Sequence, residues 1–290
     1  MGVAAALLSA ASWAFGTVMF DRIGRKIPYV GITFLKGLFS LLLMGVLVAC
    51  SGGLQRISAS SFLFLAVSGV IGIAVGDSLF FKSLQDLGAK VQVVFFLLGQ
   101  VLTMVLSFLF LGELLSGSQY IGIFILLSGI VIVIWDKQEN HKNKLRGIVC
   151  ALGSMLCFSI SAILVKLSVV NVEVITAAWW RMLFGTIFTL AYGLFANKLT
   201  SWIRPLNDWR LAGSFVLNVV VITYGGFLLS IMAFKYTTVS LVSVLGTMEP
   251  VFVLFFAFLI NGDRVIRREI VGTAISIIGL YFIITCPTSL

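Results

Sequence analysis

The chain reads as an all-helical, polytopic membrane protein, with ten transmembrane helices arranged as two inverted five-helix repeats. Three observations predict this. Its 290 residues are 60% hydrophobic and only 11% charged, whereas a soluble domain carries roughly 25% charged residues. Its apolar residues fall in runs close to the roughly 20 residues that cross a bilayer. Its two halves also echo one another, and an odd number of helices in each half makes the two enter the membrane from opposite sides.

The runs are 2–20, 29–50, 61–84, 90–111, 117–135, 147–168, 174–196, 210–234, 239–261 and 268–286. The first has spanning length and no positively charged leader, so it reads as a membrane helix rather than a signal peptide. Polar punctuation separates the others: Asp21 to Pro28, Ser51-Gly52-Gly53, Gly112-Glu113, Asp136 to Arg146, Lys198 to Arg210, and Gly262-Asp263-Arg264. Loops at 84–89 and 235–238 add two further breaks. Residues 1–136 form the first expected repeat, 137–146 a polar linker, and 147–290 the second repeat.

The echo between halves is carried by particular residues. At a shift of 145, Lys36 falls on Arg181, Leu38 on Leu183 and Phe39 on Phe184. At a shift of 150, Gly112-Glu113 falls on Gly262-Asp263, and Gly122 and Gly129 fall on Gly272 and Gly279. Most of the 20 Lys and Arg residues sit in alternate loops on one side. Arg56, Lys166 and Lys235 lie on the other, and Lys36, Lys82 and Arg181 lie within helices. Basic loops face the cytoplasm, so the loops after helices 1, 3, 5, 7 and 9 are expected there, with both termini outside.

Composition excludes several functions. A net charge of +9 would suit nucleic acid in a soluble protein, but here it is the loop bias of a membrane protein, and no nucleic-acid partner is expected. Cys50, Cys150, Cys157 and Cys286 lie in or beside apolar runs without metal spacing, and are expected to be buried free thiols. His141, the one histidine, lies in the most polar loop, which disfavours a metal site or a serine-hydrolase arrangement. No Gly-Lys-Ser/Thr phosphate loop appears, so ATP drive is not expected. The expectation is no enzyme activity, no metal and no cofactor.

The most informative point is Glu249-Pro250, inside the run from Thr238 to Ile260. Intramembrane ionisable residues mark substrate or ion pathways. Pro250 also removes a backbone donor and crowds the carbonyl one turn earlier, near Gly246. Freed backbone groups at that depth need protein or a water-filled cavity. Burial disfavours the charged carboxylate and a nearby cation favours it. Glu249 therefore reads either as a proton- or substrate-handling group, or as a fixed partner of Arg181. Asp77 follows Gly69, Gly72 and Gly76, whose spacing permits close helix approach. It reads as a functional acid or as a structural partner of Lys36. Lys36 and Arg181 lie roughly 10 Å into their helices at 1.5 Å per residue, a depth from which both can snorkel outward. The alternative for each is capture of a carboxylate or phosphate, where Arg offers bidentate geometry.

Gln100, Asn218, Tyr224 and Trp13 could hydrogen-bond a substrate or join helices. Trp135 and Trp202, near helix ends, are expected to be interface anchors. Lys82 is expected to snorkel. The spaced glycines at 122, 129, 272 and 279 are expected to set helix packing. Phe-rich runs at 95–96, 108–110 and 252–258 read as lipid-facing or packing surface.

Ala233 to Ser240 leads into Leu245-Gly246-Thr247-Met248-Glu249-Pro250-Val251 and then Gly262-Asp263. With the five-plus-five helix pattern, this resembles the EamA-like family of the drug/metabolite transporter superfamily over nearly the whole chain. Trp13 is similar to an aromatic common in that family's first helix. A second Glu-Pro often seen in the first half is replaced here by Gly99-Gln100, so a symmetric pair of carboxylates is absent. The resemblance implies a central cavity lined mainly by helices 1, 3, 4, 6, 8 and 9, and transport of amino acids, sugars, nucleotides or drug-like compounds. The expected function is secondary active transport by alternating access of small polar or amphoteric metabolites, with amino-acid export the first choice and proton coupling the expected drive. A passive channel, a non-transporting scaffold and an intramembrane enzyme are the alternatives. The expected partners are a small-molecule substrate and the lipid of a bacterial or archaeal cytoplasmic membrane. The sequence carries no signal of oligomeric state.

Overall fold

A computed structural model describes residues 1–24, 26–113, 116–134, 144–262 and 267–285. Residues 137–143 of the linker with His141, and also Trp135, Asp263, Arg264 and Cys286, lie outside the described residues. Among the described residues the fold is helical and contains no strand.

The chain order is α1 (Gly2–Ile23), α2 (Tyr29–Cys50), α3 (Ala59–Ser68), α4 (Asp77–Leu111), α5 (Gly117–Ile134), α6 (Lys144–Val169) and α7 (Val174–Phe195). It continues with α8 (Leu199–Ile203), α9 (Trp209–Val221), α10 (Leu229–Tyr236), α11 (Val239–Gly246), α12 (Glu249–Asn261) and α13 (Arg267–Thr285). Two π-helical segments bridge helices without a break in direction. Gly69–Gly76 joins α3 to α4, and Ile222–Leu228 joins α9 to α10. Among the described residues, seven helical stretches are long and apolar enough to cross a membrane, and three shorter apolar helices, Phe95–Leu111, Tyr120–Gly129 and Ile270–Gly279, accompany them.

Local chemistry sets the helix ends. Ser58 caps α3 by accepting from the Ser61 amide at 3.2 Å, Asp208 caps α9 through the Arg210 amide at 3.1 Å, and Thr238 caps α11 through the Leu241 amide at 3.2 Å. Gly112 and Gly262 end α4 and α12 in the left-handed conformation, at φ 65° and 71°, which glycine adopts without a Cβ penalty. They are the pair matched by the 150-residue shift. The loop expected at 84–89 is instead a break at the single residue Gly88, with φ 75° and ψ 168°, inside the stretch from Asp77 to Leu111. A lone glycine suffices because it tolerates positive φ.

Pro250 falls just after an interruption in the span Val239–Ile260. Helix α11 ends at Gly246, one turn earlier, and Pro250 occupies the first turn of α12. Its missing N–H is harmless there, because first-turn amides have no intrahelical acceptor.

Helix α2 packs against α7 and α5 against α13, pairs whose sequences fall on one another at the shifts of 145 and 150. Small residues allow this closeness. Gly129 lies against the Gly272 carbonyl and Ser276, and Gly279 lies against the backbone of Gly122 and Leu126. Ser276 Oγ also donates to the Leu126 carbonyl at 3.3 Å. The outside is greasy: Phe108, Phe110, Phe124, Phe195 and Ile270 are exposed, as a lipid-facing surface requires.

Several expectations about side-chain position fail. Trp202 is 1% exposed. It packs beside Gly31 and Gly193, with Phe34 and Tyr192 as ring neighbours. The short α8 folds back onto α2, so the ring enters the core instead of the interface. Lys82 is held by Asp86 at 3.0 Å rather than extended outward. Cys50 is exposed, and Cys150 and Cys157 are half-buried. Helix faces bearing them turn away from the core.

Candidate functional site

A cavity of about 210 Å³ lies where α1, α4, α6, α10, α11 and α12 converge. It is smaller than the roughly 300–1,000 Å³ of sites for drug-sized ligands, so it suits a small metabolite. From α1, Ser9, Trp13 and Thr17 share one face at four-residue spacing. Helix α4 contributes Asp77, Phe80 and Phe81 before the Gly88 break, and Phe96, Gln100 and Thr103 after it. Helix α6 contributes Phe158, Ser159 and Ser161, and the second π segment with α10 contributes Phe227, Ser230 and Phe234. Ser243 and Glu249 close the wall from α11 and α12. Helices α2 and α7, outside the six expected to form most of the lining, contribute one cation each, Lys36 and Arg181.

Lys36 and Arg181 do not snorkel. They are 3% and 8% exposed. The reason differs between them. Lys36 is drawn inward by a buried ion pair with Asp77 and lies 5.3 Å from the Trp13 ring centre. Arg181 Nη2 donates to Ser161 Oγ at 2.9 Å, and its guanidinium lies 5.0 Å from the Phe227 ring centre. Gly69 and Gly72 make room for this: Gly69 abuts the Arg181 carbonyl and Gly72 abuts Ser161.

Glu249 is 4% exposed. It has no ion pair with Arg181. Its hydrogen bond comes from Thr17 Oγ1, at 3.4 Å. Such an acid, with no cation among the described residues within ion-pair distance, is stabilised by a proton or by a cationic ligand. Gln100 lies against Gly246, where a Cβ would sit 3.3 Å from its amide. This contact joins the Gly99-Gln100 position to the Glu249 helix pair.

Asn218 and Tyr224 are not part of the cavity. Asn218 Nδ2 donates to the Gly16 carbonyl at 3.4 Å, and the Tyr224 hydroxyl donates to the Leu43 carbonyl at 3.1 Å. Both join helices, because they fall on the faces of the α9–α10 stretch that meet α1 and α2. Phe96 corrects the reading of its run as lipid surface, since its ring lines the chamber.

Sequence reasoning missed the hydroxyls. Ser9 Oγ donates to the Gly226 carbonyl in the second π segment at 2.7 Å. Thr103 Oγ1 donates to Ser159 Oγ at 2.8 Å, and Ser161 Oγ donates to the Ser68 carbonyl at 2.9 Å. The four-residue spacing of Ser9, Trp13 and Thr17 was the available signal. Among the described residues no group of three or more His, Cys, Asp or Glu gathers as a metal site.

Helical spans around a buried chamber, walled by charged and hydroxyl groups, define a polytopic membrane protein of the transporter class. The EamA-like transporter family matches residues 1–135 and 145–285, and the chain belongs to that family. It is 21% identical over 265 residues to YyaM, an uncharacterized transporter of Bacillus subtilis (strain 168), covering 89% of this chain and 85% of the relative. It is 32% identical over 75 residues to YdzE, a permease-like protein by its name from the same organism, covering 26% of this chain and 96% of the relative. A protein of known crystal structure shares the fold at TM-score 0.71 and 15% identity, over 96% of each chain.

Proposed function

We propose that this protein is a secondary transporter that carries a small amphoteric metabolite, an amino acid by first choice, by alternating access. Two five-helix repeats, 1–136 and 147–290, rock against each other about the chamber, with 137–146 as the linker. The pairing of α2 with α7 and of α5 with α13 supports this arrangement, as does the family match to both halves. The Lys and Arg bias favours basic loops on the cytoplasmic side of a bacterial or archaeal inner membrane. A transporter family, and a chamber whose groups bind rather than react, favour carriage over catalysis.

The observation that carries the proposal is Glu249 at the chamber wall with no ion pair to any described cation. A scaffold would be expected to pair both acids and fill its interior. Here Asp77 is paired, Glu249 is not, and the interior holds a cavity. Glu249 takes a proton on one side of the membrane and yields it on the other as substrate moves, while Lys36–Asp77, Gln100 and Trp13 shape the seat. The test is uptake of amino acids by proteoliposomes, with and without a proton gradient, comparing the parent with Glu249→Gln. The expected result is gradient-driven uptake by the parent and loss of the gradient dependence in the variant. Equal gradient response by both proteins would remove the coupling role.

A further inference from the structure

We propose that Arg181 is the seat for a single carboxylate on the ligand, and that Lys36, its counterpart in the repeat, is not. This rests on the transporter reading above and deepens it, because it names the group the chamber recognises.

The two cations occupy matched positions but carry different obligations. The charge of Lys36 is met within the protein by Asp77. Arg181 is more than nine-tenths buried, and among the described residues no carboxylate lies within ion-pair distance of it. Its hydrogen-bond partner is Ser161, and its Nε has none. A guanidinium offers five donors in a planar fork that matches a carboxylate. Leaving such a group buried and unmatched is costly, so its unmet donors point to a ligand.

The fork is also held in place before any ligand arrives. Ser161 gives its own hydroxyl proton to the Ser68 carbonyl, at 2.9 Å, and so presents a lone pair to Arg181. Phe227 supports the guanidinium from one side. Preorganisation of this kind lowers the ordering cost of binding.

Charge balance selects the class of anion. The chamber wall holds Lys36, Arg181, Asp77 and Glu249. With Glu249 carrying its proton, as in the reading above, one carboxylate faces two cations and leaves one excess positive charge. A carboxylate matches it, whereas the second charge of a phosphate dianion would find no free cation and would meet Asp77. Phe80, Phe96, Phe158 and Phe234 also line the chamber, so an apolar body on the ligand finds contact there beside the hydroxyl groups.

The test uses four probes that share one apolar chain: leucine, leucinamide, 4-methylpentanoate and isoamylamine. Each is titrated against the purified full-length protein in detergent, with thermal stability read by tryptophan fluorescence. The parent is expected to prefer leucine to leucinamide and 4-methylpentanoate to isoamylamine. Arg181→Gln is expected to weaken both carboxylate probes by about thirtyfold or more and to abolish the preference, and Arg181→Lys to restore part of it. The double variant Lys36→Met with Asp77→Leu, which removes the pair from the chamber wall, is expected to change the affinity for all four probes alike, so that the ratio of carboxylate to non-carboxylate affinity is kept. Equal binding of carboxylate and non-carboxylate probes by the parent, no binding of either carboxylate, or an unchanged preference in Arg181→Gln each overturns the seat. Leucine uptake by proteoliposomes is read separately. Uptake with an unchanged preference in Arg181→Gln overturns the seat and leaves the transporter standing. An Arg181-dependent preference without uptake supports the seat and overturns the transporter.

Discussion

Lys36 and Asp77, 41 residues apart in sequence, form a buried ion pair that joins α2 to the start of α4. Breaking a buried pair leaves one charge uncompensated, which costs about 3–5 kcal/mol. Asp77→Asn is expected to destabilise the protein by about that amount, measured by denaturant unfolding in detergent. Replacing both residues with apolar ones, Lys36→Met and Asp77→Leu, is expected to recover most of the loss. A double variant as unstable as the single one would show that the pair does more than neutralise itself.

Gly69 abuts the Arg181 backbone so closely that a Cβ there would strike the Arg181 carbonyl oxygen. Backbone cannot rotate aside as a side chain can. Gly69→Ala is expected to cost about 1–3 kcal/mol through overpacking and to move the guanidinium out of line. The check is unfolding stability together with leucine affinity, and both are expected to fall.

Glu113 ties the end of α4 to the start of α11. Its carboxylate accepts from the Val239 amide at 3.1 Å and the Ser240 amide at 2.9 Å, and Ser107 donates to it as well. It thus satisfies two first-turn donors of another helix. Glu113→Ala is expected to cost about 0.5–2 kcal/mol, as other lost N-terminal caps do. Hydrogen exchange at Val239 and Ser240 is expected to quicken more than exchange elsewhere in α11.

Trp202→Ala separates two readings of that residue. A ring at the membrane interface could be trimmed at little cost. A ring enclosed by Gly31, Gly193, Phe34 and Tyr192 leaves a cavity, for which about 3–5 kcal/mol is usual. Thermal unfolding of the variant in detergent is expected to show the larger loss.

Charges inside apolar runs were the legible part of the site. Glu249, Asp77, Lys36 and Arg181 stand out because lipid tolerates such groups only with a reason, and each reaches the chamber wall. Helix class and the glycine contacts of α5 with α13 were legible from run length and spacing. Pairing was legible only as alternatives. Lys36 was one reading for Asp77, and Arg181 one for Glu249. The structure pairs Lys36 with Asp77 and, among the described residues, leaves Arg181 and Glu249 without ion pairs, which depends on how far each helix is rotated. The serines were hidden for a different reason. In a helix, Ser normally returns its hydroxyl to a carbonyl of the preceding turn, as Ser12 does to Leu8 at 2.9 Å. Ser9 and Ser161 look the same in sequence but reach across to other helices. Asn218 and Tyr224 took the second of their two readings, because a polar group in a span joins helices as readily as it meets a ligand.

The π-helical stretch Gly69–Gly76 ends one residue before Asp77. A π turn carries a surplus residue relative to the α-helix. Deleting a single residue from this stretch would rotate all that follows by about 100°, while the upstream end stayed wedged against α7. The acid would then swing off its lysine with no change to either side chain. The aim of Asp77 is therefore encoded as an insertion in the main chain, and a shortened coil would misdirect it as surely as a substitution would erase it.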